Sequence, residues 1–202
     1  MTAMIIDYGA GNIRSVYRAL HHIGLSPIIS AKESDLSSAE LVILPGQGSF
    51  GPLIKQLESL NLLTQLRDYI LSDRPFIGIC IGFQMLFEGS EESPGTKGLG
   101  IFPGHLKKFD EPGLTVPHMG WNDIVTTDKA NLAIPDRTSC AYFAHSYYLP
   151  TTLSDIISST TQYGSTSFVS TIQSKSLLAT QFHPEKSSQN GLNILKTFIS
   201  SL

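Results

Sequence analysis

The chain has 202 residues, 41% of them hydrophobic and 15% charged, with a formal net charge of −3. That is enough chain for one sizeable core, and the low, slightly acidic charge leaves no basic stripe of the kind a nucleic acid requires. No apolar run is long enough to span a membrane, the start Met1-Thr2-Ala3-Met4 lacks the basic flank and apolar centre of a signal peptide, and the two cysteines, Cys80 and Cys140, form no framework, so a cytoplasmic setting is expected.

Residues 3–6 read as a short buried strand ending at Asp7-Tyr8-Gly9-Ala10-Gly11. Asn12 can cap a helix whose Ile13, Val16, Tyr17, Leu20 and Ile23 share one face, and Gly24 stops it. Residues 26–29 form a second strand, and Leu41-Val42-Ile43-Leu44 a third and more apolar one. The turn at residues 45–52 leads into two helical pieces that end near Leu71, and Pro75 separates them from an apolar strand running into Cys80. Strand, helix, strand, strand, helix, strand, helix is the order of a parallel α/β sheet, whose sites lie at the carboxyl ends of its strands.

The second half is β-rich. Residues 91–104 read as a surface loop, and short β segments follow at 106–109, 124–127 and 140–143. Residues 156–162 and 167–174 flank Tyr163-Gly164-Ser165-Thr166 as a hairpin. A last strand at 177–182 ends at His183-Pro184-Glu185, and a closing helix turns Leu192, Leu195, Phe198, Ile199 and Leu202 inward. With no repeat or linker, residues 1–202 form a single domain.

Gly78-Ile79-Cys80-Ile81-Gly82 places one nucleophilic side chain between two glycines at a strand-to-helix junction, the layout of a nucleophile elbow with Cys in place of Ser. Small neighbours let the backbone bend and a substrate approach, and the positive end of the following helix favours a thiolate. A lone Cys is more often a small buried apolar residue; the glycine flanks shift the reading to a nucleophile. His183 and Glu185, two apart at a strand end, can face one side, so that the carboxylate fixes the imidazole and its other nitrogen takes up a proton. Three letters alone fit a solvated strand end better; it is the elbow that makes them a triad.

Gly46-Gln47-Gly48-Ser49-Phe50-Gly51 matches the dinucleotide fingerprint, which leaves a nucleotide-binding module as a rival reading. Asp73, however, precedes its strand and cannot serve as the ribose acid. A loop donating a backbone N–H to an oxyanion hole, alongside that of Ile81, is the stronger alternative. His21, His22 and His105 have no acidic or cysteine partner at ligand spacing, Cys140 reads as a buried thiol, and no pattern resembles a metal site. Spacing rules leave residues 116–122 and 145–147 uninterpreted.

Taken together these stretches resemble the class I, triad-type glutamine amidotransferases. Within them the chain is similar to the glutaminase subunits of imidazole glycerol phosphate synthase. The class rests on Gly78 to Gln84, Pro45-Gly46-Gln47-Gly48 and His183-Pro184-Glu185. The narrower match rests on residues 7–16, on Pro117-His118-Met119-Gly120-Trp121-Asn122, on residues 142–147 and on Gln181 to Ser187. The resemblance implies a mostly parallel, flavodoxin-like α/β sheet flanked by helices and one amidotransferase domain that needs no cofactor. Cys80 would attack the glutamine side chain, with His183 as proton shuttle and Glu185 orienting it. Gly46, Gln47, Gly48 and Ile81 would hold the oxyanion, and Gln84, His145, Ser146 and Tyr147 the amino-acid end of glutamine. Ammonia would pass to a cyclase subunit in a heterodimer, docked through Asn12, Trp121 and Lys186, with no nucleic acid and no membrane involved. The cyclase would use it to make imidazole glycerol phosphate and aminoimidazole carboxamide ribotide in histidine biosynthesis. Amidotransferases feeding anthranilate, guanylate or carbamoyl phosphate synthesis are the nearest alternative. Gln47 departs from the small apolar residue usual in the family, and is expected to alter how readily its loop reorients.

Overall fold

Four short apolar segments, buried along their whole length, form the centre of the molecule: β1 (Ala3–Ile6), β3 (Leu41–Leu44), β4 (Phe76–Ile79) and, far along the chain, β12 (Leu177–Thr180). Continuous burial suits strands covered on both faces. The computed structural model describes residues 1–127, 138–151, 156–174 and 176–202. Within these, α1 (Ile13–His22), β2 (Ile28–Ser30) and α2 (Glu33–Ser38) lie between β1 and β3, while α3 (Phe50–Ser59) and α4 (Leu63–Leu71) lie between β3 and β4. After β4 come the one-turn helix α5 (Ile81–Gln84), β5 (Gly89–Ser90), β6 (His105–Lys108), β7 (His118–Thr126), β8 (Thr138–His145) and β9 (Tyr147–Tyr148). The chain continues through β10 (Ile157–Tyr163), β11 (Thr166–Gln173), β12, a 3₁₀ turn (Pro184–Lys186) and α6 (Ser188–Ser200).

The main sheet has nine strands in the order β2-β1-β3-β4-β12-β11-β10-β7-β8. From β2 to β12 every neighbour is parallel, and from β12 to β8 every neighbour is antiparallel. Alternation along the central strands divides the core. Met4, Ile6, Val42 and Leu44 pack with α2, α3 and α4 on one face, while Ala3, Ile5, Leu41 and Ile43 pack with α1 and α6 on the other. A small second sheet, β5-β6-β9, sits beside it. No helix among the described residues is long and apolar enough to cross a membrane.

The fold is the expected mostly parallel α/β sheet with a β-rich second half, with several local corrections. Helix α2 was not anticipated: in six residues it buries only Leu36, too little to show a period. Strand β7 begins at His118, six residues before the expected segment, because its alternation is inverted: His118 is buried while Met119 and Trp121 face out. The helix after Cys80 is a single turn, so its dipole gives the sulfur far less than a long helix would. Asn12 caps α1 through its carbonyl, which accepts from Ser15 and Val16, and not through its side chain. In α6, Ile194 occupies an inward position, whereas Leu202 lies past the helix and is exposed. Cys140 is half-buried, and His105 sits exposed, 3.6 Å from Glu88.

Candidate active site

The elbow is built by backbone contact. Cys80 has φ 50° and ψ −104°, a conformation that costs an L-residue about 1–3 kcal/mol and that the surrounding packing must maintain. A Cβ on Gly46 would collide with the Ile79 carbonyl oxygen, and one on Gly82 with that of Leu44, so the ends of β3 and β4 can close around Cys80 only with glycine at both places. The Cys80 N–H donates to the Thr180 carbonyl at 2.7 Å, tying the elbow to β12. Gln181 Nε2, one residue further along, lies 3.7 Å from Cys80 Sγ and points an N–H at it.

His183 follows two residues later and is 2% exposed. Its Nδ1 lies 2.8 Å from Glu185 Oε1. Contrary to the expectation from their spacing, the two do not share a strand face. Strand β12 ends at Thr180, and Pro184 opens the 3₁₀ turn that brings Glu185 back beneath the imidazole. Ser187 anchors this turn, since its hydroxyl donates to the His183 carbonyl at 2.7 Å and accepts the Tyr142 N–H at 2.9 Å. Burial alone would push His183 down, but the charge and hydrogen bond of Cys80, together with the Glu185 carboxylate, outweigh it and raise its pKa to about 10. Among the described residues Glu185 Oε2 is buried without a hydrogen-bond partner, so the imidazolium is the carboxylate's main compensation.

A cavity of about 160 Å³ opens over the sulfur. It gathers Gly48, Ile81 and Gln84 from the parallel half and His145, Ser146 and Tyr147 from the antiparallel half. Gly46 and Gln47 do not line it. The Gln47 N–H donates to the Tyr8 hydroxyl at 3.2 Å, and that hydroxyl in turn lies within donating distance of the Gln47 carbonyl at 2.9 Å and the Pro45 carbonyl at 3.1 Å, so a single phenol holds the peptide units on both sides of Gln47. Glu92 brings a carboxylate into the cavity while accepting the Phe50 N–H at 2.7 Å. Sequence reasoning missed Tyr8, Glu92 and Gln181, whose roles depend on contacts 39, 42 and 101 residues away in the chain.

The class-I glutamine amidotransferase family model matches residues 4–202. The chain belongs to that family. Imidazole glycerol phosphate synthase subunit HisH of Gloeothece citriformis is 42% identical over 202 residues, covering 98% of this chain and 95% of that protein. Imidazole glycerol phosphate synthase hisHF of Schizosaccharomyces pombe is 41% identical, with 99% of this chain matching 38% of that protein. A solved glutamine amidotransferase superposes with a TM-score of 0.75 at 16% identity, covering 98% of this chain and 97% of the other, which shows a shared fold.

The remaining predicted residues lie apart from this amidotransferase cavity. Trp121 is 53% exposed, not a core residue, and meets Tyr142 edge-on with ring centroids 6.2 Å apart. Lys186 Nζ lies 5.8 Å from the centroid of the same Tyr142 ring. Asn12 precedes α1, which packs against the 3₁₀ turn carrying Lys186. Met119, two residues from Trp121 on the same strand face, is 65% exposed and also lines the cavity. An apolar surface and the mouth of the cavity are therefore continuous.

Proposed function

We infer that this chain is the glutaminase subunit of imidazole glycerol phosphate synthase, a single amidotransferase domain working in the cytoplasm with a separate or fused cyclase. The observation that carries the reading is the Cys80 elbow set beside a buried imidazole held 2.8 Å from Glu185, within a chain 42% identical to such subunits.

The thiolate of Cys80 attacks the side-chain amide carbon of glutamine, and the carbonyl π electrons move to oxygen. His183 gives its proton to the amide nitrogen, the C–N bond breaks, and ammonia leaves a glutamyl thioester. Water then adds to the thioester carbon and gives a proton to the now neutral His183. The C–S bond breaks, glutamate departs, and the thiolate–imidazolium pair is restored. Glu185 orients the ring and balances its charge through both halves. The oxyanion is held by the N–H groups of Ile81 and the 46–48 loop once the Gln47 peptide unit leaves Tyr8. Gln84, His145, Ser146 and Tyr147 bind the amino-acid end, and Glu92 suits the α-ammonium by charge.

The freed amine is nucleophilic only while unprotonated, so shielded transfer to the cyclase is the useful outcome. That partner makes imidazole glycerol phosphate and aminoimidazole carboxamide ribotide. Trp121, Met119, Lys186 and Asn12 supply the docking face, with an aromatic anchor beside the cavity mouth. An electrophilic glutamine analogue tests the chemistry. Stoichiometric labelling of wild type that disappears in Cys80→Ser is expected, and equal labelling of both proteins would refute it.

A further inference from the structure

His118 is buried inside an aromatic cage, stacked on Tyr163 at 3.9 Å and on Phe143 at 4.8 Å between ring centroids. Both of its nitrogens nevertheless have partners. Nε2 lies 3.2 Å from Asn122 Nδ2, and Nδ1 lies 3.1 Å from Nε2 of His145, its register partner across β7 and β8.

The direction of these bonds can be worked out from either end. Asn122 Nδ2 also donates to the Gln162 carbonyl at 2.9 Å, and its Oδ1 accepts the Asp123 N–H, which fixes the orientation of the amide. His118 Nε2 therefore accepts, and in the neutral ring Nδ1 carries the hydrogen and donates to His145. From the other end, His145 Nδ1 lies 2.8 Å from the Tyr147 carbonyl, which can only accept, so this nitrogen carries the hydrogen and Nε2 must accept. The two ends require the same tautomers and the same direction. A proton added to His145 Nε2 would set two N–H groups against each other.

The chain does not stop at Tyr147. Its carbonyl takes a second bond from Gln84 Nε2 at 3.1 Å, Gln84 Nε2 also donates to Gln181 Oε1 at 3.0 Å, and Gln181 Nε2 points at Cys80 Sγ. Two donor series therefore meet at the Tyr147 carbonyl, one from Asn122 through His118 and His145 and one from Gln84, whose amide also donates to Gln181 beside the nucleophile. The bend at residues 145–147, which forms one wall of the cavity, is also held by the bond from the Phe109 N–H to the Ser146 carbonyl and by strand pairing of Tyr147 with Lys108.

We propose that His118 and Asn122 are positioning residues for glutamine: by holding His145 as the Nδ1–H tautomer they fix the Tyr147 carbonyl and the Gln84 amide, and with them the cavity wall that grips the substrate. Neither residue touches the reacting atoms. The proposal rests on the glutaminase reading for its substrate, but the hydrogen-bond series can be observed without turnover.

The test uses His118→Phe, which keeps a ring in the stack and removes both bonds, and Asn122→Asp, which keeps both imidazoles and replaces the donor by an acceptor. In the complex with the cyclase, KM for glutamine should rise by about tenfold in each variant, the scale of one buried group left without its partner. The kcat at saturating glutamine should stay within about threefold, since no transition-state contact is lost. Long-range ¹H–¹⁵N spectra of the free chain should show wild-type His145 protonated at Nδ1 alone and a changed nitrogen pattern in both variants. Should His118→Phe fail to fold, Asn122→Asp alone decides, because its ring packing is intact. An unchanged His145 nitrogen pattern, an unchanged KM, or a loss confined to kcat would each overturn the proposal. Wild-type turnover in the same complex checks the glutaminase reading separately.

Discussion

The two halves of the sheet hold their working groups in different ways. In the parallel half, from β2 to β12, backbone does the positioning: Gly46 and Gly82 let β3 and β4 close on Cys80, and the Cys80 N–H is fixed to Thr180 in the neighbouring strand. In the antiparallel half, from β11 to β8, side chains do it: Asn122, His118 and His145 run in series toward the cavity, and Trp121 and Met119 stand outside. Covalent chemistry needs one atom held against strain, which packed strands provide. Grip on a small substrate and docking of a partner need directional groups and exposed apolar area, which a half-solvated antiparallel sheet provides. Strained backbone is concentrated in the first half, and the side-chain series and exposed apolar area in the second.

Substitutions that separate chemistry from recognition sharpen that contrast. Glu185→Gln should lower glutamine turnover by about 10²-fold or more, because the imidazolium at His183 loses its compensating charge. Steady-state kinetics should show the fall in kcat, not in KM. Trp121→Ala should leave that chemistry alone and weaken cyclase binding by about 10- to 100-fold, the loss typical of an aromatic anchor. Calorimetric titration reads it, and the thermal midpoint of this variant should stay close to wild type because half of the side chain is already in water.

Acid should act first on the antiparallel half. Burial holds His118 down at about 4, and burial together with the nearby His118 and His183 holds His145 at about 3. Below pH 6.5 the unfolded chain binds protons that these native rings refuse, so stability from the pair is complete above 6.5 and is lost as pH falls toward 4. Urea titrations at pH 7 and pH 5 should differ by roughly 2 kcal/mol for each ring, and His118→Phe should remove its own share of that slope. A smaller effect is expected at Tyr8→Phe, which frees the Gln47 peptide unit at the price of about 1 kcal/mol of hydrogen bonding. Glutamine turnover of the free subunit should rise by a few-fold, and an unchanged basal rate would mean that the hydroxyl does not restrain the loop.

How much of this was legible in sequence follows the same division. The apolar runs of β1, β3, β4 and β12 announce a parallel sheet, and a Cys between two glycines announces an elbow, because each is a local pattern with a local cause. The His183–Glu185 pair was legible as residues but not as geometry, since nothing local says that Pro184 opens a 3₁₀ turn instead of extending the strand. Strand β7 hid because its buried positions carry a histidine and its exposed ones carry Met119 and Trp121, the reverse of the usual alternation. Gln47 drew notice through its side chain, yet that side chain is exposed and the structure places the restraint on its main chain, through Tyr8. Long-range side-chain bonds of this kind leave no period to read.

The most direct test of a divided enzyme is glutamine turnover by the free chain, by the chain with its cyclase partner, and by that complex with the cyclase's nucleotide substrate present. Release of the Gln47 peptide unit and shielding of the cavity mouth predict a rise of at least about 100-fold from the first condition to the third, the upper range of ordinary coupling between sites. Equal turnover in all three would contradict the account, leaving a glutaminase that is complete on its own.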